Sequence, residues 1–153
     1  MNLRPSPVAC LSALLLLAGC SSGTEMTDER LASMAGGKLK ETVKVSGKVL
    51  VDGTPQPGVN IHLYGPGGGA EVNNCRTGED GTYCWSTHVS CDGLEAGSYR
   101  LAFEYVPKEK KNDEGTDLFK GKYRNPAKND FTLTVEKGVP QTDVNYELKL
   151  SAK

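Results

Sequence analysis

The sequence is poor in the residues from which most metal sites and many catalytic sites are built. Its 153 residues include two histidines, one tryptophan and five cysteines. The 18 basic and 19 acidic side chains nearly cancel, so the chain lacks the concentrated basic excess that attracts nucleic acids. No apolar run approaches the roughly 20 residues of a membrane-spanning helix. A nucleic-acid partner and a polytopic membrane protein are therefore excluded, and the length suits one domain.

The N-terminus is organised like a secretory signal that ends at a lipid attachment site. The basic residue Arg4 precedes an apolar stretch, Val8 to Ala18, which has the length of a signal-peptide core. Leu17-Ala18-Gly19-Cys20 at its end resembles the lipobox of bacterial lipoproteins. The resemblance implies cleavage before Cys20, a diacylglycerol on the thiol and an acyl chain on the new amine. Residues 1–19 are thus expected to be a signal peptide.

Lipidation of Cys20 predicts a protein that is held at a membrane, with its domain outside the cytoplasm. Several acyl chains exceed the two signals that stable anchoring requires. Ser21 follows the cysteine. In lipoproteins of double-membraned bacteria an aspartate there usually retains the protein at the inner membrane, so its absence favours the outer membrane where the cell has one. The alternative is a secretory signal cut elsewhere, with Cys20 an ordinary thiol.

Residues 20–41 show no strand pattern and few large apolar side chains. We expect this segment to be a flexible tether between the lipid and the domain. Within it, Thr27 is suited to be the N-cap of a short helix with acidic residues in its first turn.

From Thr42 onward, apolar residues recur at every second position, which indicates half-buried β-strands. Strands with one apolar face fit antiparallel sheets, and two such sheets packed face to face give a sandwich. We therefore predict an all-β fold, a seven-stranded antiparallel β-sandwich over residues 42–151. The seven runs are residues 43–51, 59–64, 70–77, 82–87, 99–105, 131–135 and 144–150. Gly47 interrupts the apolar face of the first run and indicates a bulge or a close backbone approach.

The order of motifs in this region resembles a carboxypeptidase regulatory-like domain. A V-x-G-x-V strand at 45–49 precedes a DG-x-P turn at 52–55, and residues 77–83 match the hairpin motif T-x-x-DG-x-Y. Residues 97–101 match the G-x-Y-x-L strand, and residues 123–126 resemble the last part of such domains in small bacterial lipoproteins. The resemblance implies a transthyretin-like sandwich. Members of this family are usually accessory modules without chemistry of their own.

Few side chains in the domain suggest catalysis or metal binding. His62 is expected on the solvent face and His88 close to a loop, whereas metal sites usually need three or four converging ligands. Cys91 has His88 nearby in sequence alone, and no G-x-S-x-G motif supplies a nucleophile. The signatures of two enzyme families with this sandwich, the hydroxyisourate hydrolases and the intradiol dioxygenases, are also not found. We predict no catalytic residue, no cofactor and no metal.

Two aromatic residues are candidates for stacking against a ligand. Tyr64 lies on the outward face of its predicted strand, whereas Trp85 shares the face of Tyr83, which favours packing in the core. The expected function is that of a non-catalytic envelope module with a structural or protein-interaction role, whose partner is an envelope protein or a glycan. The alternative is a carbohydrate- or peptide-binding module, and a small hydrolase is more distant.

Three cysteines remain once the lipid has taken Cys20, so we expect one disulfide and one free thiol in an oxidising compartment. Glu79-Asp80-Gly81 predicts a three-residue hairpin loop. In that register Cys75 and Cys84 point to opposite sides of the sheet, which prevents a bridge between them. Cys91 is then the better partner. Cys75–Cys91 is the first choice and Cys84–Cys91 the second, with three reduced thiols as the alternative.

The lipobox leads to a test of the anchor. Protein expressed in a lipoprotein-processing bacterium should partition into the detergent phase and carry acyl mass on Cys20. Cys20→Ser should yield a soluble or unprocessed form, because the diacylglycerol is attached to the thiol. Wild-type protein in the aqueous phase with a free thiol at this position would rule out the lipid anchor.

Overall fold

Two β-sheets form the fold, which is taken from a computed structural model that describes residues 27–34, 36–107 and 115–150. Each of the seven predicted runs overlaps one strand, and Thr54–Pro55 adds an eighth among the described residues. The strands are β1 (Ser46–Val51), β2 (Thr54–Pro55), β3 (Val59–Tyr64), β4 (Glu71–Arg76), β5 (Thr82–Cys84), β6 (Gly97–Tyr105), β7 (Thr132–Val135) and β8 (Tyr146–Leu148).

The two sheets bury their apolar faces against one another. In the first sheet β1 pairs with β2, β5 and β8; in the second the order is β4-β3-β6-β7. Alternation holds along β1 and β3, where Val49 and Val51 are buried while Lys48 is exposed, whereas β6 buries three successive residues, 101–103. The largest fully buried side chains come from both sheets and the loops: Trp85, Phe103, Phe119, Ile61, Leu63, Leu101 and Leu148. The arrangement is an all-β sandwich, as the alternation predicted.

One strand pair departs from the antiparallel prediction. Strand β8 runs parallel to β1, with Val49 opposite Tyr146 and Val51 opposite Leu148. The chain leaves β7 in the second sheet and crosses to the first sheet before β8 begins. A crossing connection between sheets does not impose the reversal that a hairpin imposes, so a period-two pattern could not show the direction of this strand.

The predicted hairpin between β4 and β5 is a corner between the two sheets. Its turn is as expected: the Gly78 N–H donates to the Thr82 carbonyl at 2.8 Å, and Gly81 has a φ of +74°. Beyond the turn, however, β4 pairs with β3 and β5 pairs with β1. The strands do not form one ladder, so the register counted across the turn was wrong.

Gly47 marks a close backbone approach. A Cβ on this residue would lie 1.9 Å from the carbonyl oxygen of Val144. That oxygen accepts a hydrogen bond of 2.7 Å from the Tyr83 hydroxyl, and the Val144 N–H donates to Ser46. The segment before β8 therefore lies against β1 because no side chain intervenes.

A short helix, α1 (Asp28–Met34), precedes the sandwich. The Arg30 N–H donates to Thr27 Oγ1 at 3.4 Å, which confirms Thr27 as the N-cap. Within the described ranges, no helix is long and apolar enough to cross a bilayer. The predicted signal peptide, Cys20 and residues 21–26 lie outside the described residues.

Two glycines allow the strain of the left-handed conformation to be separated from a steric clash. Gly81 and Gly53 have φ values of +74° and +80°. A Cβ on Gly81 would lie 2.7 Å from the Gln56 nitrogen, whereas a Cβ on Gly53 would meet nothing within 4 Å. We expect Gly53→Ala to cost about 1 kcal/mol and Gly81→Ala to cost clearly more, because backbone atoms must move. Thermal melts of both variants measure the difference, and equal melting temperatures would contradict this account of the corner.

Candidate functional site

Tyr64 lies on the outer face of the second sheet, as the alternation of inward and outward side chains along its strand predicted. It is half-buried at the end of β3, opposite Glu71 of β4 and Arg100 of β6. Burial raises the pKa of the Tyr64 phenol, and the nearby carboxylates of Glu71 and Glu104 raise it further. The phenol, like an ordinary tyrosine, is protonated at neutral pH and can donate a hydrogen bond.

A polar network surrounds His62 on the same face. His62 Nδ1 lies 2.9 Å from Glu71 Oε2, and its Nε2 lies 3.9 Å from Glu104 Oε2. The second oxygen of Glu71 accepts from Asn74 Nδ2 at 2.9 Å, and Arg124 Nε donates to Glu104. His62 Nε2 is buried and has no hydrogen-bond partner among the described residues.

The network joins three strands and the segment that carries Arg124. Both carboxylates accept hydrogen bonds within the network. The alternation along its strand placed His62 outward. The sequence could not show its partners, because they depend on how β4 and β6 pair with β3. The network stabilises the outer face of this sheet.

Trp85 is not a stacking platform for a ligand. Its side chain is completely buried, and its ring meets Tyr83 edge-on with centroids 6.2 Å apart. The ligand-binding role considered for it is therefore wrong, and the core role that its shared face with Tyr83 favoured is the one observed.

The disulfide joins Cys84 to Cys91, with Cα atoms 5.3 Å apart, and Cys75 is free. The first-choice pairing, Cys75–Cys91, is wrong. Cys75 lies opposite Ile61 in the second sheet and packs against the core, whereas Cys84 lies opposite Ser46 in the first sheet, on the face turned away from the core. Burial raises the pKa of the Cys75 thiol to about 12. That thiol is therefore protonated and weakly nucleophilic.

The loop closed by this disulfide is organised around the Asp92 carboxylate. It accepts backbone N–H groups of Thr87, His88 and Val89 at 2.6, 2.9 and 3.2 Å. The Cys91 N–H donates to Ser86 Oγ at 2.9 Å. Burial by itself would raise the pKa of Asp92, but the three backbone donors outweigh it and lower the pKa. In the sequence, Asp92-Gly93 indicates only an ordinary turn, and nothing in it points to this role of Asp92.

The same loop holds the end of the predicted tether. The Lys40 N–H donates to His88 Nε2 at 3.1 Å, and Lys40 Nζ pairs with Glu95. Next to it, Glu41 pairs with Lys137 at 3.0 Å. Residues 40 and 41 are thus attached to the sandwich just before the first core residue, Val43.

A groove of about 670 Å³ crosses the outer face of the first sheet. Its floor is formed by β1 and β5, with residues 142–145 on one side and the corner at 76–78 on the other. Two cationic side chains, Lys48 and Arg76, and one carboxylate, Asp143, line it. We call this feature the basic groove. Its walls are distant in sequence, so no local pattern could indicate it.

In the part of the chain that the structure describes, no three His, Cys, Asp or Glu side chains are placed to hold a metal ion. Comparisons with known protein families and with curated proteins find no match to this chain.

The Asp92 contacts lead to a pH-dependent prediction. A carboxylate whose pKa is lowered by folding contributes stability above its unfolded pKa, about 3.9, and loses that contribution as the pH falls through the folded value. At pH 7, Asp92→Asn should destabilise the domain by about 1 kcal/mol. The difference from wild type should shrink below about pH 4. Urea denaturation across this range measures it, and a difference independent of pH would contradict the role of the charge.

Proposed function

We propose that the protein is a lipid-anchored module of the cell envelope that acts by binding another protein rather than by catalysis. The Cys84–Cys91 disulfide supports the location outside the cytoplasm, because disulfides form and persist mainly in such compartments. A domain with such a bond fits the export route that the lipobox-like sequence before Cys20 implies. The anchor would hold the sandwich at the membrane, with the outer faces of its sheets available to partners.

The sandwich is proposed to be of the carboxypeptidase regulatory-like type. Three motif glycines support this assignment, because each occupies a position that requires glycine or favours it strongly. Gly47 lies against the Val144 carbonyl, and Gly53 and Gly81 have positive φ at the two turns that the family's motifs define. Accessory modules of this type fit a binding role.

Two features favour protein binding over the alternatives. The His62 network has its carboxylates already hydrogen-bonded, whereas the basic groove is open and has charged walls. The carbohydrate alternative loses one of its two aromatic candidates, because Trp85 is buried, and rests on the half-buried Tyr64.

Cross-linking in intact cells tests the proposal. Full-length protein with a C-terminal tag is treated with formaldehyde and purified in denaturant. We expect discrete adducts with one or a few envelope proteins, and we expect their yield to fall in a Cys20→Ser variant, which is no longer held at the membrane. A tagged protein that stays uncross-linked in both cases would contradict an interaction module.

A further inference from the structure

The basic groove has a rigid floor. Lys48 lies opposite Thr82 across the β1–β5 pair, and Ser46 lies opposite Cys84, so four side chains share the outer face of two paired strands. The Cys84–Cys91 disulfide and the hydrogen bond from the Lys48 N–H to Asn145 Oδ1, at 2.8 Å, fix this face further. A ligand would meet side chains whose backbone is already ordered, which lowers the entropic cost of binding.

The two cations of the groove differ from four other cationic side chains of the domain. Lys40, Arg124, Lys137 and Lys149 each pair with a carboxylate. Among the described residues, no ion pair involves Lys48 or Arg76.

The carboxylates close to the groove offset only part of the charge of these cations, because Asp80, whose pKa the Thr82 hydrogen bonds and the charge of Lys48 help to lower, does not line the groove. Asp80, near Lys48, is engaged with its own turn, because its Oδ1 accepts from the Thr82 N–H and hydroxyl at 3.1 and 2.6 Å. Among the residues that the structure describes, Asp143 is the one carboxylate that lines the groove. The balance of side chains that line it is therefore positive.

We propose that the basic groove binds an acidic segment of a partner protein, with carboxylates paired to Lys48 and Arg76. The proposal rests on the protein-binding function above and names the chemistry of the partner. The hydroxyls of Ser46 and Thr82 are additional donors to carboxylate or backbone oxygens. A sugar would need an exposed ring to stack on, and the aromatic residue at the groove, Tyr83, is only 4% exposed. An acidic peptide therefore fits this surface better than a glycan does.

Fluorescence anisotropy with the full lipoprotein in detergent micelles tests the proposal. The probe is a labelled hexapeptide of alternating glutamate and serine, and the matched control peptide has glutamine in place of glutamate. We expect the acidic peptide to bind, the control peptide to bind at least tenfold more weakly, and the affinity to fall with added salt because the contacts are exposed ion pairs.

Four substitutions locate the binding. Arg76→Gln should weaken it about fivefold and Lys48→Gln about threefold. Asp143→Asn should strengthen it about twofold, a gain that misfolding cannot produce. Lys128→Gln, which makes the same change in charge outside the groove, should have no effect.

Three results would each overturn the proposal. The two peptides could bind equally, the four variants could have equal affinities, or a sulfated oligosaccharide could bind where the acidic peptide does not. Cellular adducts that survive Arg76→Gln unchanged would also overturn it and leave the protein-binding function intact. If the wild-type protein forms no adducts, that result would instead contradict the protein-binding function itself.

Discussion

Strand β1 holds the first sheet together, since β2, β5 and β8 all pair with it. Its inward valines, Val49 and Val51, fill the core, and Gly47 before them leaves room for the Val144 backbone. The Val144 carbonyl in turn accepts the Tyr83 hydroxyl, and the Tyr83 ring stacks on Tyr146 at 6.1 Å. The contact at Gly47 therefore sets how closely the parallel strand approaches and how the aromatic part of the core packs.

The same strand provides much of the surface proposed to bind a partner. Ser46 and Lys48 face outward because Val45 and Val49 face inward. Cys84 belongs to β5, the strand opposite Ser46 and Lys48. The loop that its disulfide closes also holds Lys40, at the end of the predicted tether. The groove, the oxidised loop and the attachment of the tether thus belong to one continuous part of the structure.

The alternation of inward and outward side chains along each strand could be predicted from the sequence. It placed His62 and Tyr64 outward and Trp85 inward. This alternation does not show which strands pair. It therefore missed that β4 and β5 belong to different sheets, and the Cys75–Cys91 prediction depended on treating them as one ladder. The basic groove was missed for a related reason, because Lys48, Arg76 and Asp143 meet only through the fold. The role of Asp92 requires the loop geometry that the disulfide helps to create.

We propose above all that the sandwich matures in an oxidising compartment while attached to a membrane. Peptide mapping under non-reducing conditions, on protein isolated from membranes, tests it most directly. We expect a peptide pair linked through Cys84 and Cys91 and an alkylatable thiol on Cys75 after denaturation. A linkage that includes Cys75, or three reduced thiols, would contradict the account.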